Sequence, residues 1–164
     1  MVAIFSYSIK AMKKKILVTD DDEGVQEIFK LIFEKEGYEV EVLGEANKIF
    51  ENEYNIPDLF LLDRQLSGCD GLNVCKFLKS QASTKNIPVI IVSASPDISK
   101  FALQAGANDF IEKPFEKKSL LNIVSRWIGV LNHTVIWCTV FKELIFQLRI
   151  DGSYVFKLSL RWSF

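Results

Sequence analysis

The chain has 164 residues, of which 49% are hydrophobic, and this is enough for one domain with a substantial core. Its formal net charge is -1 at pH 7, so no global charge favours binding to nucleic acid or to an anionic membrane. The three cysteines form no CxxC pair, which argues against a disulfide framework or a zinc site and favours reduced thiols in a cytoplasmic protein.

Residues 1–12 are predicted to be an N-terminal extension. In MVAIFSYSIKAMKKK the lysines follow the short apolar run, which is the reverse of the order in a secretory signal peptide. Met12 directly precedes KKKILVTDDD and is a candidate for the biological start. No apolar run in the chain is long enough to span a bilayer, so we expect no membrane partner.

Strand-like and helix-like segments alternate between residues 13 and 129. Short apolar runs predict strands at 15–19, 38–43, 59–62, 87–94 and 109–113. Apolar residues at helical spacing predict helices over 23–36, 45–54, 71–80, 97–107 and 117–129. This alternation predicts an α/β fold, a doubly wound parallel sheet of five strands with helices on both faces. Ligands of such sheets bind beyond the carboxyl ends of the strands.

Reactive side chains follow four of these strands. In chain order they are Asp20, Asp21, Asp22, Asp63, Ser93 and Lys113. Two carboxylates 4 Å apart repel by about 4 kcal/mol at an effective dielectric of about 20, so such a cluster favours a hard cation such as Mg²⁺. A lysine and a hydroxyl opposite the metal suit the oxygens of a phosphoryl group. Asp63, after a strand buried on both faces, is then expected to be an oxygen nucleophile.

Each of these residues also has a simpler interpretation. An aspartate after a strand is most often a helix N-cap or a turn residue, and Asp22 is expected to be one. A single residue such as Ser93 or Lys113 is usually a solvated surface group. The functional interpretation is favoured because the residue types follow four strand ends in a chemically consistent order.

Four segments resemble the receiver domain of two-component response regulators, of the stand-alone chemotaxis type. They are KILVTDDDEGVQEIFKLIFEKEGYEV, PDLFLLDRQLSGCDGLNVCKFLK, IPVIIVSAS and GANDFIEKPF. The resemblance covers residues 13–128 and implies a flavodoxin-like sheet with strand order 2-1-3-4-5. It implies that Asp63 accepts a phosphoryl group from a sensor histidine kinase or a histidine phosphotransfer protein. The protein would catalyse this transfer and its own dephosphorylation, and would switch a surface that binds an unknown downstream protein.

The resemblance also implies a Mg²⁺ site. Asp20 and Asp21 would position the ion together with Asp63 and the main-chain carbonyl of Gln65. The sequence departs from the family in the loop that follows, because Ser67 stands before Gly68 where the family usually has proline. The loop behind Asp63 is therefore expected to be looser.

Three further residues would detect the phosphoryl group in such a domain. Lys113 would pair with it, and Pro114 would follow Lys113 through a cis peptide bond. Ser93 would hydrogen-bond it, and Phe110 would be the aromatic switch that rotates inward as Ser93 moves. The family commonly has tyrosine at the position of Phe110, so no hydroxyl can distinguish its two states here.

Two alternatives from other classes stay open at this point. The segment ILVTDDDEGV also resembles the first motif of haloacid-dehalogenase-type phosphatases, in which Asp20 would be the nucleophile and Asp22 the second acid. That family needs a late acidic pair and a cap insertion, which are not found, and it leaves Asp63 unexplained. The other alternative is a receiver-like module that binds partners without phosphorylation.

Residues 130–164 form an apolar, strand-like tail that does not continue the family pattern. Its alternating apolar residues predict a hairpin that turns at Asp151-Gly152-Ser153. We expect its apolar face to be covered near Trp127 and Ile128, or by a second copy in a homodimer. The alternative is a non-native extension. The tail is too short for a DNA-binding domain, so direct contact with nucleic acid is not expected.

Overall fold

The computed structural model describes residues 13–129, in which seven strands occur. They are β1 (Lys15–Thr19), β2 (Glu39–Leu43), β3 (Leu59–Asp63), β4 (Gln65–Leu66), β5 (Cys69–Asp70), β6 (Val89–Ser93) and β7 (Asp109–Glu112). The long strands form a parallel sheet in the order β2-β1-β3-β6-β7. This is the order 2-1-3-4-5 when only the sheet's own strands are counted, so the doubly wound α/β prediction is confirmed.

The helices follow the strands as the alternating pattern predicts. They are α1 (Glu23–Lys35), α2 (Asn47–Phe50), α3 (Gly71–Ser80), α4 (Ile98–Gln104) and α5 (Lys117–Ile128). The predicted helix over 45–54 is too long, because the chain leaves the helix after Phe50 and Asn52 takes a positive φ of 58°. The antiparallel ribbon of β4 and β5 was not predicted, because strands of two residues carry no periodicity.

The sheet has one apolar cluster on each face, and β3 is buried between them. Leu59 and Leu61 pack on one face, and Phe60 and Leu62 pack on the other. All four are 0% exposed, as expected for a central parallel strand covered on both sides. The rigid strand holds Asp63, its last residue, at a fixed place on the rim of the sheet.

Aspartate caps and a glycine set the limits of the helices beside this rim. Asp22 accepts hydrogen bonds from the backbone N–H groups of Gly24 (2.8 Å) and Val25 (3.1 Å), which confirms it as the N-cap of α1. Asp70 caps α3 by accepting from the N–H of Leu72 at 2.9 Å. Gly37, with a φ of 92°, follows the end of α1.

The predictions for residues 1–12 and 130–164, including the hairpin and its cover, lie outside the described residues. Within residues 13–129, none of the helices combines the length and apolarity needed to cross a membrane.

Candidate functional site

Three carboxylates meet at the carboxyl ends of β1 and β3. Each of Asp20, Asp21 and Asp63 offers an oxygen that lies within 4.8 Å of the other two. They meet because β1 and β3 are adjacent parallel strands, with Thr19 paired to Leu62. Asp20 and Asp63 are only 1% and 8% exposed, whereas Asp21 is exposed. The cluster therefore concentrates negative charge where part of it is shielded from water.

Lys113 forms ion pairs with the two buried carboxylates of this cluster, those of Asp20 and Asp63. Its Nζ lies 2.9 Å from Oδ2 of Asp63 and 3.3 Å from Oδ2 of Asp20. Lys113 follows β7, and its backbone N–H donates to the carbonyl of Ser93 at 2.7 Å. The Lys113–Pro114 peptide bond is cis, as the resemblance implied.

The environment shifts the pKa of two of these groups upward. Burial is the largest influence on Asp20 and raises its pKa, against the opposing effects of the Asp22 backbone N–H and of Lys113. Burial also acts to lower the pKa of Lys113, but the hydrogen bond to Asp63 and the charges of both carboxylates outweigh it and raise the pKa. Lys113 is therefore a firmly held cation at neutral pH.

The backbone of Asp63 and of the residues that follow it makes close contacts with α3. Oδ1 of Asp63 accepts a hydrogen bond from the backbone N–H of Gln65 at 3.3 Å. The N–H of Gly71, the first residue of α3, donates to the carbonyl of Arg64 at 2.8 Å. A Cβ on Gly71 would lie 2.1 Å from the carbonyl oxygen of Asp63, so only glycine fits there without a shift. The approach of α3 to this backbone was not predicted from the sequence.

Ser93 and Phe110 lie on β6 and β7, and within residues 13–129 neither side chain is hydrogen-bonded to the carboxylate cluster. Ser93 ends β6 and is 2% exposed, and its Oγ accepts a hydrogen bond from the N–H of Ser95 at 3.0 Å. Phe110 is partly buried and packs against the apolar cluster that contains Phe60 and Leu62. Their predicted switching roles stay predictions.

Two side chains beside Asp63 make contacts that the sequence analysis missed. Arg64 places its guanidinium carbon 5.3 Å from the centre of the Phe101 ring in α4, a cation–π distance. Ser67 Oγ donates a hydrogen bond of 2.6 Å to Oδ2 of Asp21. Ser67 thus contacts the acidic cluster directly, and the looser loop that the serine predicted stays a prediction. The serine before glycine was the one signal in the sequence that marked this position as unusual.

A cleft of about 490 Å³ lies between the β4–β5 ribbon and the end of β6. Its lining residues are Arg64, Gln65, Leu66, Cys69, Asp70, Ser93 and Ser95. The cleft therefore borders Arg64 and Gln65, which directly follow Asp63, and Ser93 at the end of the neighbouring strand.

Comparison with known families decides what kind of domain has this arrangement. The model of the response regulator receiver domain matches residues 16–125. The chain belongs to the response regulator receiver domain family. Receiver domains are the phosphoacceptors of two-component signalling, and the sequence-based recognition of this family is confirmed.

Known receivers and regulators resemble the chain over the same region. The DNA-binding response regulator MtrA of Mycolicibacterium paratuberculosis is 33% identical over 113 residues, which are 67% of this chain and 49% of that protein. The chain thus spans about half the length of the curated relatives that it matches.

Two solved structures extend the comparison to the fold. A putative response regulator from Chloroflexus aurantiacus is 32% identical, with a TM-score of 0.68 over 72% of this chain and 99% of the other. The receiver domain of sensor histidine kinase PA1611 from Pseudomonas aeruginosa is 27% identical, with a TM-score of 0.65 over the same shares of the two chains. That receiver has a magnesium ion coordinated in its active site cleft.

Proposed function

We propose that this receiver accepts a phosphoryl group on Asp63 in a Mg²⁺-dependent reaction. The observation that carries the proposal is that Asp63 shares its carboxylate cluster with Asp20 and Asp21 while Lys113 contacts one of its oxygens. A nucleophile, an acidic metal site and a fixed cation are the parts that phosphoryl transfer requires.

The donor set fits Mg²⁺. Asp20, Asp21 and Asp63 supply three carboxylates, and Lys113 is the cation that contacts two of them among the described residues. One ammonium leaves two negative charges uncompensated, which favours a hard divalent ion with oxygen ligands. The carbonyl of Gln65 is proposed as a further ligand. When bound, Mg²⁺ would offset the negative charge that otherwise repels an incoming phosphoryl group.

The chain's own residues have separate tasks in the proposed transfer. An oxygen of Asp63 forms a bond to phosphorus as the bond from phosphorus to the donor's histidine nitrogen breaks, and the nitrogen keeps the electron pair. Lys113 and the hydroxyl of Ser93 then hold phosphoryl oxygens. Phe110 is proposed to follow the movement of Ser93 and so to alter the surface formed by α4, β7 and α5.

The proposed donor is a sensor histidine kinase or a histidine phosphotransfer protein, and the proposed recipient of the signal is a downstream protein. The PA1611 receiver supports the first part, because it belongs to a sensor histidine kinase. We further propose that residues 13–129 are a self-sufficient receiver. Truncation after Gly129 should then leave a folded domain that can be phosphorylated.

The test uses the full chain, Mg²⁺ and acetyl phosphate, with the modified residue mapped by mass spectrometry. We expect a mass increase of one phosphoryl group on Asp63, which is lost in Asp63→Asn and retained in Asp22→Asn, because Asp22 serves as the N-cap of α1. A label on Asp20 would instead favour the phosphatase-type alternative. A folded protein that takes no label with Mg²⁺ bound would favour the phosphorylation-independent module.

A further inference from the structure

The three carboxylates of the acidic cluster differ in the hydrogen bonds and ion pairs that fix their orientation. Asp20 accepts a hydrogen bond from the N–H of Asp22 at 3.1 Å, and Asp63 accepts one from the N–H of Gln65 at 3.3 Å. Both also contact Lys113. Asp21 is exposed, and the side chain that hydrogen-bonds it within the described residues is Ser67. The orientation of this one carboxylate therefore depends on a residue from another loop.

Ser67 reaches Asp21 because of the turn that carries it. Leu66 of β4 pairs with Cys69 of β5, so Ser67 and Gly68 form a two-residue connection. Gly68 has a φ of 78°, and among the described residues Asn52 alone is a non-glycine residue with positive φ. A glycine of positive φ at the second central position is typical of a type II turn, whose first central position accepts proline readily. Serine at that place keeps the turn and adds a hydroxyl.

The hydrogen bond is short and charge-assisted. The Oγ of Ser67 lies 2.6 Å from Oδ2 of Asp21, which is typical of a hydroxyl that donates to a carboxylate. The bond also lowers the pKa of Asp21 below its ordinary value. Because both groups are exposed, water competes for the same contacts, and the bond adds little to the stability of the fold. Its main effect is to orient the carboxylate.

We infer that Ser67 is a positioning residue for the divalent cation, because its hydrogen bond to Oδ2 fixes the orientation of the Asp21 carboxylate beside Asp20 and Asp63. The inference rests on the proposed Mg²⁺ site. Hydrogen-bonding partners of ligating carboxylates fix ligand orientation and strengthen metal binding. The serine that replaces the family's usual proline thus adds a hydroxyl that keeps the carboxylate of Asp21 oriented at the proposed metal site.

The test is a Mg²⁺ titration of the full chain, followed by amide chemical shifts and without any phosphodonor. We expect Ser67→Ala to weaken Mg²⁺ binding about tenfold, the lower end of what loss of such a partner costs. Ser67→Thr should restore wild-type affinity, since it retains a hydroxyl. Ser125→Ala is the matched control, because Ser125 is a surface serine whose hydroxyl donates to the carbonyl of Asn122, away from the site. The urea midpoint in the absence of Mg²⁺ should be the same in all four proteins.

Ser67→Pro removes the hydroxyl but keeps a rigid turn, so it distinguishes the effect of the hydroxyl from that of the turn's rigidity. We expect it to bind Mg²⁺ as weakly as Ser67→Ala. Wild-type affinity in Ser67→Pro, or in Ser67→Ala itself, would overturn the positioning role of the hydroxyl while leaving the proposed function intact. A wild-type protein that binds no Mg²⁺ while Asp63 still takes a phosphoryl group would refute both the metal dependence and this inference.

Discussion

Replacing Gly71, the first residue of α3, with alanine should disturb Asp63, the proposed acceptor, more than any other glycine-to-alanine change around the site. The new Cβ would lie 2.1 Å from the carbonyl oxygen of Asp63, 2.9 Å from its carbonyl carbon and 3.1 Å from Cα of Arg64. The Cβ and the oxygen must separate by about 0.9 Å to reach 3.0 Å, a distance below which real Cβ atoms are essentially never found. All three neighbours are backbone atoms, so no side chain can rotate away.

The expected loss of stability follows from the backbone atoms that must move apart. Overpacking a well-packed site usually costs about 1–3 kcal/mol, and we expect about 3 kcal/mol here because β3 is fixed on both faces. The shift would also move Asp63 relative to Lys113. Urea unfolding should therefore show a lower free energy of unfolding, and acetyl phosphate should label Asp63 more slowly under conditions in which the variant is fully folded.

Gly24→Ala is the matched control for this change. Gly24 also lies in the first turn of a helix that an aspartate caps, but its new Cβ would meet only Oδ1 of Asp22, at 3.1 Å. We expect a change within about 0.5 kcal/mol, since helices favour alanine over glycine and the carboxylate can adjust. Wild-type stability and labelling in Gly71→Ala would show that α3 does not fix the backbone at Asp63.

Three further changes test other contacts. Lys113→Ala removes the cation between two buried carboxylates and should lower the free energy of unfolding by about 2 kcal/mol, with part of the loss recovered when Mg²⁺ is added. Burial tends to raise the pKa of Asp58, but Lys14 at 2.7 Å and a backbone N–H lower it below its ordinary value. Because the pKa of Asp58 is lower in the folded state, its ionised carboxylate stabilises the fold above the unfolded-state pKa, and this stabilisation is lost in acid. Between about pH 6 and pH 3, the wild type should therefore lose more of its free energy of unfolding than Asp58→Asn, by at most about 1 kcal/mol. Thr84→Val removes a buried hydroxyl that donates to the carbonyl of Leu78 at 2.7 Å, and urea unfolding should show a loss of about 1–2 kcal/mol.

The sheet was predictable because its signals are local and repeated. β1 and α3 occupy the predicted residues 15–19 and 71–80, since short apolar runs and helical spacing persist over each whole element. The helix over 45–54 was overpredicted because its residues favour a helix locally, whereas the backbone turns at Asn52. The helix ends in a local capping turn, in which the N–H groups of Asn52 and Glu53 donate to the carbonyls of Ile49 (3.1 Å) and Lys48 (2.8 Å). Asparagine is one of the residues that adopt the positive φ of such a cap, and the helical spacing alone did not indicate it.

At the site, too, repeated patterns were predictable from the sequence, whereas a contact made through a short turn was not. Residue types at the strand ends predicted that Asp20, Asp63 and Lys113 would share a rim, because parallel strands bring their carboxyl ends together. The contact of Ser67 with Asp21 joins residues 46 positions apart through a turn of two residues. No periodic pattern encodes such a turn, so the contact could be found only from the structure.

The contacts of Lys113 with Asp20 and Asp63 have a consequence for when, during folding, the site is complete. Lys113 meets Asp63 across 50 positions and Asp20 across 93, so these ion pairs close only after β1, β3, β6 and β7 have taken their places. Folds that depend on contacts of such sequence separation form slowly, because the loop-closure entropy must be overcome before the contacts stabilise the chain. A nascent or partly unfolded chain has Asp63 but lacks the arrangement of charges on which its proposed reactivity depends. If Asp63 is the acceptor, we therefore expect its phosphorylation to require a completed sheet, so that only fully folded molecules take up a phosphoryl group.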